Sequence, residues 1–409
     1  MAKDASTPTT RRGQRWFSAL LVTVIVGVIV ALVVAAVRTP RPHGRSGEND
    51  LGNPPGIVDR LDLFDSLGDW ESGTSEHVTV LTAPARVTPV GPMARWTSPE
   101  VSTAFAFTEL IPSWNVTAPP GTGLRLDVRV RPVGGGRWSP WLYLGSWGRT
   151  RSREKRVTSC RQGVVNVDYL ALRVPADAYQ VRVEFSGPGA GGTADRLGID
   201  RAAAPALRRL AISYSGVVAD EARRAELAPP GWARDLPVPF RTQKDVAGPM
   251  SGEICSPTSV SMVMAYCGVD RPTAENAHAI YDPDHDLFGN WGRAVARAGE
   301  LGLDAWVTRF RDWDAVKAQV AAGHPVVASI RFKAGEFPSA VLPSTAGHLI
   351  VIRGFSATGD VVVNDPASRD RGNGAVYRAT ELARAWFDHG GVGYVIRRAA
   401  DPRPTIAGE

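Results

Sequence analysis

Cys255, His348 and Asp365 are far apart in the chain, and together they are the residue types that nucleophilic acyl transfer requires. A thiolate attacks a carbonyl carbon, an imidazole takes and returns a proton, and a carboxylate fixes the imidazole's tautomer and supports its charged form. Each residue is expected at the end of an element. After Cys255, Val260, Val263, Met264 and Cys267 mark an apolar face, which predicts a helix. Pro257 suits the first turn, where a missing N–H costs nothing, and Gly268 suits the end. Cys255 then stands at the helix N-terminus, where unpaired amides and the helix dipole favour a thiolate. His348 opens the run His-Leu-Ile-Val-Ile-Arg-Gly-Phe, and Asp365 closes Asp-Val-Val-Val-Asn-Asp before Pro366. These predict neighbouring strands of an antiparallel hairpin, which would bring base and carboxylate together.

The other polar residues are read as structural. Cys267 lies about 18 Å along the predicted helix from Cys255, too far for a disulfide, and is a core residue. Cys160 is a small buried hydrophobe or a spare thiol. Asp282, Asp284 and Asp286 with His285 suggest a calcium loop, but Leu287 and Arg293 stand where glycine and glutamate are needed. No metal or organic cofactor is expected. His278, His324 and His389 lack matching partners and are read as structural or surface groups.

These residues need elements to position them, and 409 residues suffice for two domains with accessory segments. Hydrophobic residues at 44% and charged residues at 22% are ordinary for globular domains. The formal charge of +6 is scattered. Its one cluster, Arg149, Arg151, Arg153, Lys155 and Arg156, is read as a solvated loop, with no nucleic-acid partner. Three cysteines do not make a disulfide scaffold. Residues 16–37 carry no charge and are long enough to cross a bilayer of about 30 Å as a helix. Lys3, Arg11, Arg12 and Arg15 precede them, which predicts a cytoplasmic segment 1–15 and a single-pass anchor with the rest outside the cell membrane. A cleaved signal peptide is the competing reading. Residues 38–58 read as a linker.

Residues 59–218 alternate in short runs divided by Gly- and Pro-rich turns, predicting an all-β sandwich or jelly roll. Its tryptophans, Trp70, Trp96, Trp114, Trp138, Trp141 and Trp147, are core fillers or a stacking surface for carbohydrate or another envelope ligand. Trp138 and Trp141 flank Ser139-Pro140 and are the surface candidates. Residues 219–236 read as a short helix and linker, 237–397 as an α+β domain, and 398–409 as a tail.

The α+β domain resembles the papain-like cysteine peptidases related to the bacteriocin-leader (double-glycine leader) peptidases, in their stand-alone exported bacterial form. Cys255-Ser-Pro-Thr-Ser-Val-Ser-Met, Gly347-His348-Leu-Ile-Val-Ile-Arg-Gly-Phe and Asn364-Asp365-Pro366 carry the resemblance. Val238-Pro239-Phe240-Arg241-Thr242-Gln243 adds to it, and implies that Gln243 helps bind the oxyanion. Gly289-Asn290-Trp291 resembles a further stretch, implying that Asn290 and Trp291 line the substrate cleft. Ser256 departs from the glycine that many members carry, and the interval from Gln243 to Cys255 is longer than in the leader peptidases. No transporter segments accompany the domain, so cleavage coupled to export is not implied.

The expectation is a multidomain chain: an N-terminal transmembrane helix, an all-β sandwich or jelly-roll-like domain, and a C-terminal α+β papain-like cysteine peptidase domain. Its expected substrate is a peptide or protein, with cell-wall peptide among the candidates, cleaved through a thioester acyl-enzyme. A cell-wall peptide amidase or transpeptidase with the same triad is one alternative. A non-enzymatic envelope binding protein working through the β domain is the other.

Overall fold

The computed structural model describes residues 56–91, 93–150, 155–187, 204–218, 232–399 and 401. The expected membrane segment, residues 1–15, nearly all of both linkers, most of the tail and the middle of the arginine cluster lie outside the described residues. Among the described residues no helix is long and apolar enough to cross a membrane.

Two antiparallel sheets follow one another along the chain. The first contains β1 (Gly56–Phe64), β2 (Thr74–Glu76), β3 (Val78–Thr82), β4 (Ala85–Pro89), β5 (Arg95–Thr97), β6 (Val101–Thr117), β7 (Gly123–Pro132), β8 (Leu142–Gly148), β9 (Gly163–Asn166), β10 (Tyr169–Ser186) and β11 (Ala206–Val218), with one short helix, α1 (Leu67–Ser72). The order is β2-β5-β10-β6-β11-β4-β3, with β1 on β11, β7 joining β10 to β8, and β9 on β10. β6 and β10 are much longer than the short runs expected from sequence, and bulges let β10 pair with β6, β7 and β9 along its length. The sheet folds on itself. Leu124, Leu126, Val128 and Val130 of β7 share one core with Val87, Trp114, Val116, Leu210 and Ile212.

Trp70, Trp96, Trp114 and Trp147 are buried in that core. Trp138 and Trp141 are half-buried, and each ring already has guanidiniums over it: Arg129 and Arg131 for Trp138, Arg129 and Arg182 for Trp141. A sugar stacking there would displace a cation–π contact.

The second sheet and its helices are β12 (Arg234–Asp235), α2 (Cys255–Tyr266), α3 (Thr273–Ile280), α4 (Trp291–Glu300), β13 (Asp304–Arg309), α5 (Trp313–Ala321), β14 (Val326–Phe332), β15 (Thr345–Phe355), β16 (Val361–Asn364), β17 (Ala375–Tyr377), α6 (Ala379–Trp386) and β18 (Val392–Arg397). The strand order is β13-β18-β14-β15-β16-β17, with β12 on β15. Arg234 and Asp235, expected in the linker, pair with Phe355 and Gly354, so the domain starts earlier than residue 237. The helix after Cys255 also differs from expectation. Every residue of α2 from Ser256 to Met264 is buried, so it is a central helix and not one with a single apolar face. It ends as expected, with Gly268 at φ +91°.

The two sheets are not separate bodies on a tether. Residues from Asn53 onward form one compact unit. Ile111 and Ala211 belong to the core of the second sheet, and Ala296 of α4 belongs to the core of the first. Asn115 of β6 acts as a surrogate strand: its Nδ2 donates to the Ala305 carbonyl at 2.7 Å, and its Oδ1 accepts from the Ala305 N–H at 3.0 Å. Ser113 Oγ accepts from the Val307 N–H at 3.0 Å. These side chains satisfy the free edge of β13, which would otherwise be buried unpaired. Arg209, buried over the Trp306 ring, bridges Asp65 and Asp304 at 2.7 and 3.1 Å. Arg309 pairs with Glu109.

Asn115→Ala leaves both peptide groups of Ala305 buried without partners. Urea unfolding is expected to show a loss of about 2–4 kcal/mol. A loss below 0.5 kcal/mol, about the size of a surface substitution, would remove this residue's place in the interface.

Candidate active site

Cys255 is the first residue of α2, after an N-cap residue, Ile254, that offers no side-chain bond to the helix amides. The amides of this turn are therefore free to face a negative charge. The sulfur takes hydrogen bonds from the Ser256 and Leu349 backbone N–H groups.

The helix is sunk into the protein by its hydroxyls. Ser259 Oγ donates to the Leu349 carbonyl at 3.0 Å, next to His348 on β15. Thr258 and Ser261 return their hydroxyls to the carbonyls of Ile254 and Pro257 at 2.7 Å. Ser256 Oγ lies 3.3 Å from the Tyr394 hydroxyl of β18. These hydroxyls are thus fully buried and satisfied.

β15 and β16 form the expected antiparallel pair, with Val351 opposite Asn364. His348 is 4% exposed and Asp365 1% exposed. His348 Nε2 lies 2.8 Å from Asp365 Oδ1, and the ring also hydrogen-bonds the Cys255 sulfur. With Nε2 committed to the carboxylate, Nδ1 is the nitrogen left for the sulfur. Burial alone would drive each of these groups neutral. It is outweighed at all three. Burial pushes the Cys255 thiol up, but the His348 hydrogen bond and charge bring it below the usual thiol range. Burial pushes His348 down, but the Asp365 charge and hydrogen bond, with the sulfur, raise it well above an ordinary imidazole. Asp365, despite its burial, is held below the usual carboxylate range, chiefly by His348. A thiol, an imidazole and a carboxylate thus stand in line, and at all three the surroundings favour the charged form over the neutral one.

A fourth group was not legible from the motifs. The Tyr377 hydroxyl of β17 donates to Asp365 Oδ2 at 2.6 Å and accepts the Val341 N–H at 3.1 Å. Only the general rule that a buried tyrosine hydroxyl finds a partner points toward it.

Gln243 is 4% exposed and is held on both sides. Its backbone N–H donates to the Pro366 carbonyl and its Nε2 to the Ser251 carbonyl, both at 3.0 Å. Its Oε1 is buried without a partner. The side chain is thus anchored between the segment leading into Cys255 and the one leaving Asp365.

Asn290 and Trp291 separate in role. Asn290 is buried and caps α4: Oδ1 accepts from the Arg293 N–H at 3.1 Å and Nδ2 donates to Asp282 Oδ2 at 2.8 Å. Both polar ends are engaged within the protein. Trp291 is half-buried and lines an open hollow of about 460 Å3 together with Glu253.

The acidic loop serves the same framework. Asp282 holds Asn290 and His285, Asp284 takes Tyr143 and Arg156 of the first domain, and Asp286 takes Tyr281. Among the described residues no group of His, Cys, Asp and Glu is arranged to hold a metal ion. All three thiols are free, and burial pushes Cys267 up to about 11. His324 is buried with its pKa lowered by burial, and His389 Nδ1 lies 2.9 Å from Arg331 Nη2.

Residues 235–394 match the model of the Peptidase C39-like family, and residues 61–204 match the model described as the Peptidase C39 N-terminal domain. Among solved structures, the chain resembles one described as a C39-like peptidase from Bacillus anthracis, at 19% identity and a TM-score of 0.32, over 40% of this chain and 98% of that one. A double-glycine motif protease from an AMS/PCAT transporter, solved with its leader peptide, is similar at 17% identity and a TM-score of 0.28, over 40% and 94%. A carbohydrate-binding module of a laminarinase from Zobellia galactanivorans is similar at 13% identity and a TM-score of 0.20, over 37% and 98%. No curated protein matches the chain.

Asp365→Asn removes the charge that holds the imidazolium, so His348 falls toward its ordinary pKa and the thiolate loses its partner. The midpoint of Cys255 alkylation against pH, read by iodoacetamide labelling and peptide mapping, is expected to rise by at least about one unit, or about 1.4 kcal/mol. An unmoved midpoint would mean that the carboxylate does not govern the thiolate.

Proposed function

We propose that the chain is a cysteine peptidase of the C39-like kind with Cys255, His348 and Asp365 as its catalytic triad, a reading supported by the match of residues 235–394 to that family's model. The observation that carries the reading is the unbroken line from a thiol at a helix N-terminus, through a buried imidazole, to a buried carboxylate.

The thiolate attacks the peptide carbonyl and the carbonyl π electrons move to oxygen. The Cys255 backbone N–H and the second Nε2 proton of Gln243 are the proposed donors to that oxyanion. The C–N bond then breaks, and the imidazolium gives its proton to the leaving amine. A water that loses its proton to His348 attacks the thioester, the C–S bond breaks, and the acid leaves with the thiolate restored. Asp365 orients His348 throughout, and Tyr377 orients Asp365.

We place the enzyme outside the cytoplasm, held by residues 16–37, on the strength of the uncharged run and the basic residues before it. Its proposed substrate is a peptide or protein of the envelope. An amine that replaced water at the thioester would make the same site a transpeptidase.

Cys255→Ala is expected to lower peptide hydrolysis by at least about 10³-fold, with wild-type unfolding behaviour. An acyl adduct trapped by mass spectrometry should map to Cys255. Adding glycinamide separates the outcomes: an amide product marks transfer to amines, and acid alone marks hydrolysis. Hydrolysis that survives Cys255→Ala would end the proposal. Protease treatment of intact cells tests placement, since the described domains should be digested only if they face outward.

A further inference from the structure

The hollow beside Trp291 is built by both domains. The first contributes Asp168 from the β9–β10 turn and Tyr169 at the start of β10, and the second contributes Glu253, Leu287, Phe288 and Trp291. Its lining reaches the segment that leads into Cys255. Glu253 is two residues before Cys255, and Trp291, Tyr169 and Cys255 pack against the same core. Tyr394, whose hydroxyl meets Ser256, lies within electrostatic range of both Asp168 and Cys255.

The chemistry of the lining is specific. The Tyr169 and Trp291 rings are stacked, 5.9 Å apart and 23° from parallel. Phe288 and Leu287 add apolar wall. Asp168 and Glu253 are the charged residues of the lining, and none of the lining residues is basic. Asp168 is 7% exposed, and its Oδ2 accepts the Trp291 N–H at 2.7 Å. The charged groups nearest it beyond the lining are His285 and Asp282. Burial pushes its carboxyl up to about 7, so an incoming cation would draw it into the charged form. The turn that delivers it is strained, with the β-branched Val167 at φ +55°. Aromatic faces, an aliphatic wall and unneutralised carboxylates together favour a cation on an apolar stem.

We infer that this hollow is a substrate subsite, shared by the two domains, that receives a basic side chain (lysine, arginine or another amine-ended residue) of the peptide bound at Cys255. The inference rests on the peptidase reading above and names the substrate class that the same site selects. The N-terminal domain is thereby part of the specificity apparatus.

The test separates this claim from catalysis. The full chain carrying Cys255→Ala is immobilised and equilibrated with a random octapeptide pool, and the retained peptides are sequenced. Lysine and arginine should be enriched at one position by at least about fivefold, the ratio that roughly 1 kcal/mol of cation–π and charge attraction supplies. The enrichment should fall in Asp168→Asn and in Glu253→Gln, the second being an exposed position whose change does not threaten folding. No basic enrichment, enrichment of apolar residues in its place, or basic enrichment that survives both substitutions overturns the inference. Iodoacetamide labelling of the unsubstituted chain reads the nucleophile independently. Rapid Cys255 labelling without basic selection sinks the subsite alone; slow labelling with basic selection sinks the triad and keeps the subsite.

Discussion

Asp365 carries a charge where water cannot solvate it, and the surroundings of Cys255 are arranged to make that tolerable. Moving a carboxylate from water into an interior costs several kcal/mol unless its oxygens are fully hydrogen-bonded. Here Oδ1 meets His348 Nε2 and the Ala367 N–H, and Oδ2 meets the Tyr377 hydroxyl at 2.6 Å. Those donors come from β15, from the turn after β16 and from β17, so a single charge ties three neighbouring segments together. The consequence reaches the sulfur. An ionised carboxylate favours the proton on His348, and a protonated His348 favours the charged form of Cys255. These shifts run against burial and follow from the charges and hydrogen bonds that answer it.

The Cys255 thiol also has to be held at a helix N-terminus that meets β15. α2 achieves this with polar residues in a buried position, which is costly unless every hydroxyl finds a partner. Ser259 reaches the Leu349 carbonyl across the interface, and Ser256 meets Tyr394. Ser256 is the residue that departs from the glycine of the resembled family, and its hydroxyl has a partner on β18 that a glycine could not use. The departure is therefore accommodated locally, beside Cys255.

The triad candidates were legible in the sequence because each stands at the end of a patterned run, and hairpin connectivity follows from two β-rich segments with a short link. Other features depend on tertiary neighbours that no local pattern encodes. Ser113 and Asn115 interrupt an apolar run, which hid the length of β6; their polarity is explained by the edge of β13 that they satisfy. The face expected on the Cys255 helix failed for the opposite reason. Its serines and threonine are buried as well as its apolar residues, with Thr258 and Ser261 returning their hydroxyls to carbonyls of the preceding turn. Asn290 and Trp291 are adjacent in sequence and diverge in space, since an N-cap side chain turns back to its helix while the next residue turns outward. Tyr377 and Asp168 carry no motif at all. Each acts through one hydrogen bond to a residue more than ten positions away.

The contact between α4 and β6 determines how the two domains can behave. Gly299 of α4 sits so close to Asn115 that a Cβ there would lie 2.6 Å from the asparagine Cβ, so the helix and strand meet backbone to backbone. Ala296 enters the first core, and the Trp291 N–H at the start of the helix holds Asp168. The helix is gripped at its beginning, middle and end by the other domain. Hinge motion between domains requires an interface that can part without exposing a core, and this one cannot, because each core contains residues of the other domain. A wall of the hollow beside Trp291 is therefore fixed by the same contacts that stabilise the fold. Any change of its shape has to come from side chains such as Phe288 and Glu253 at the rim, and not from the domains moving apart.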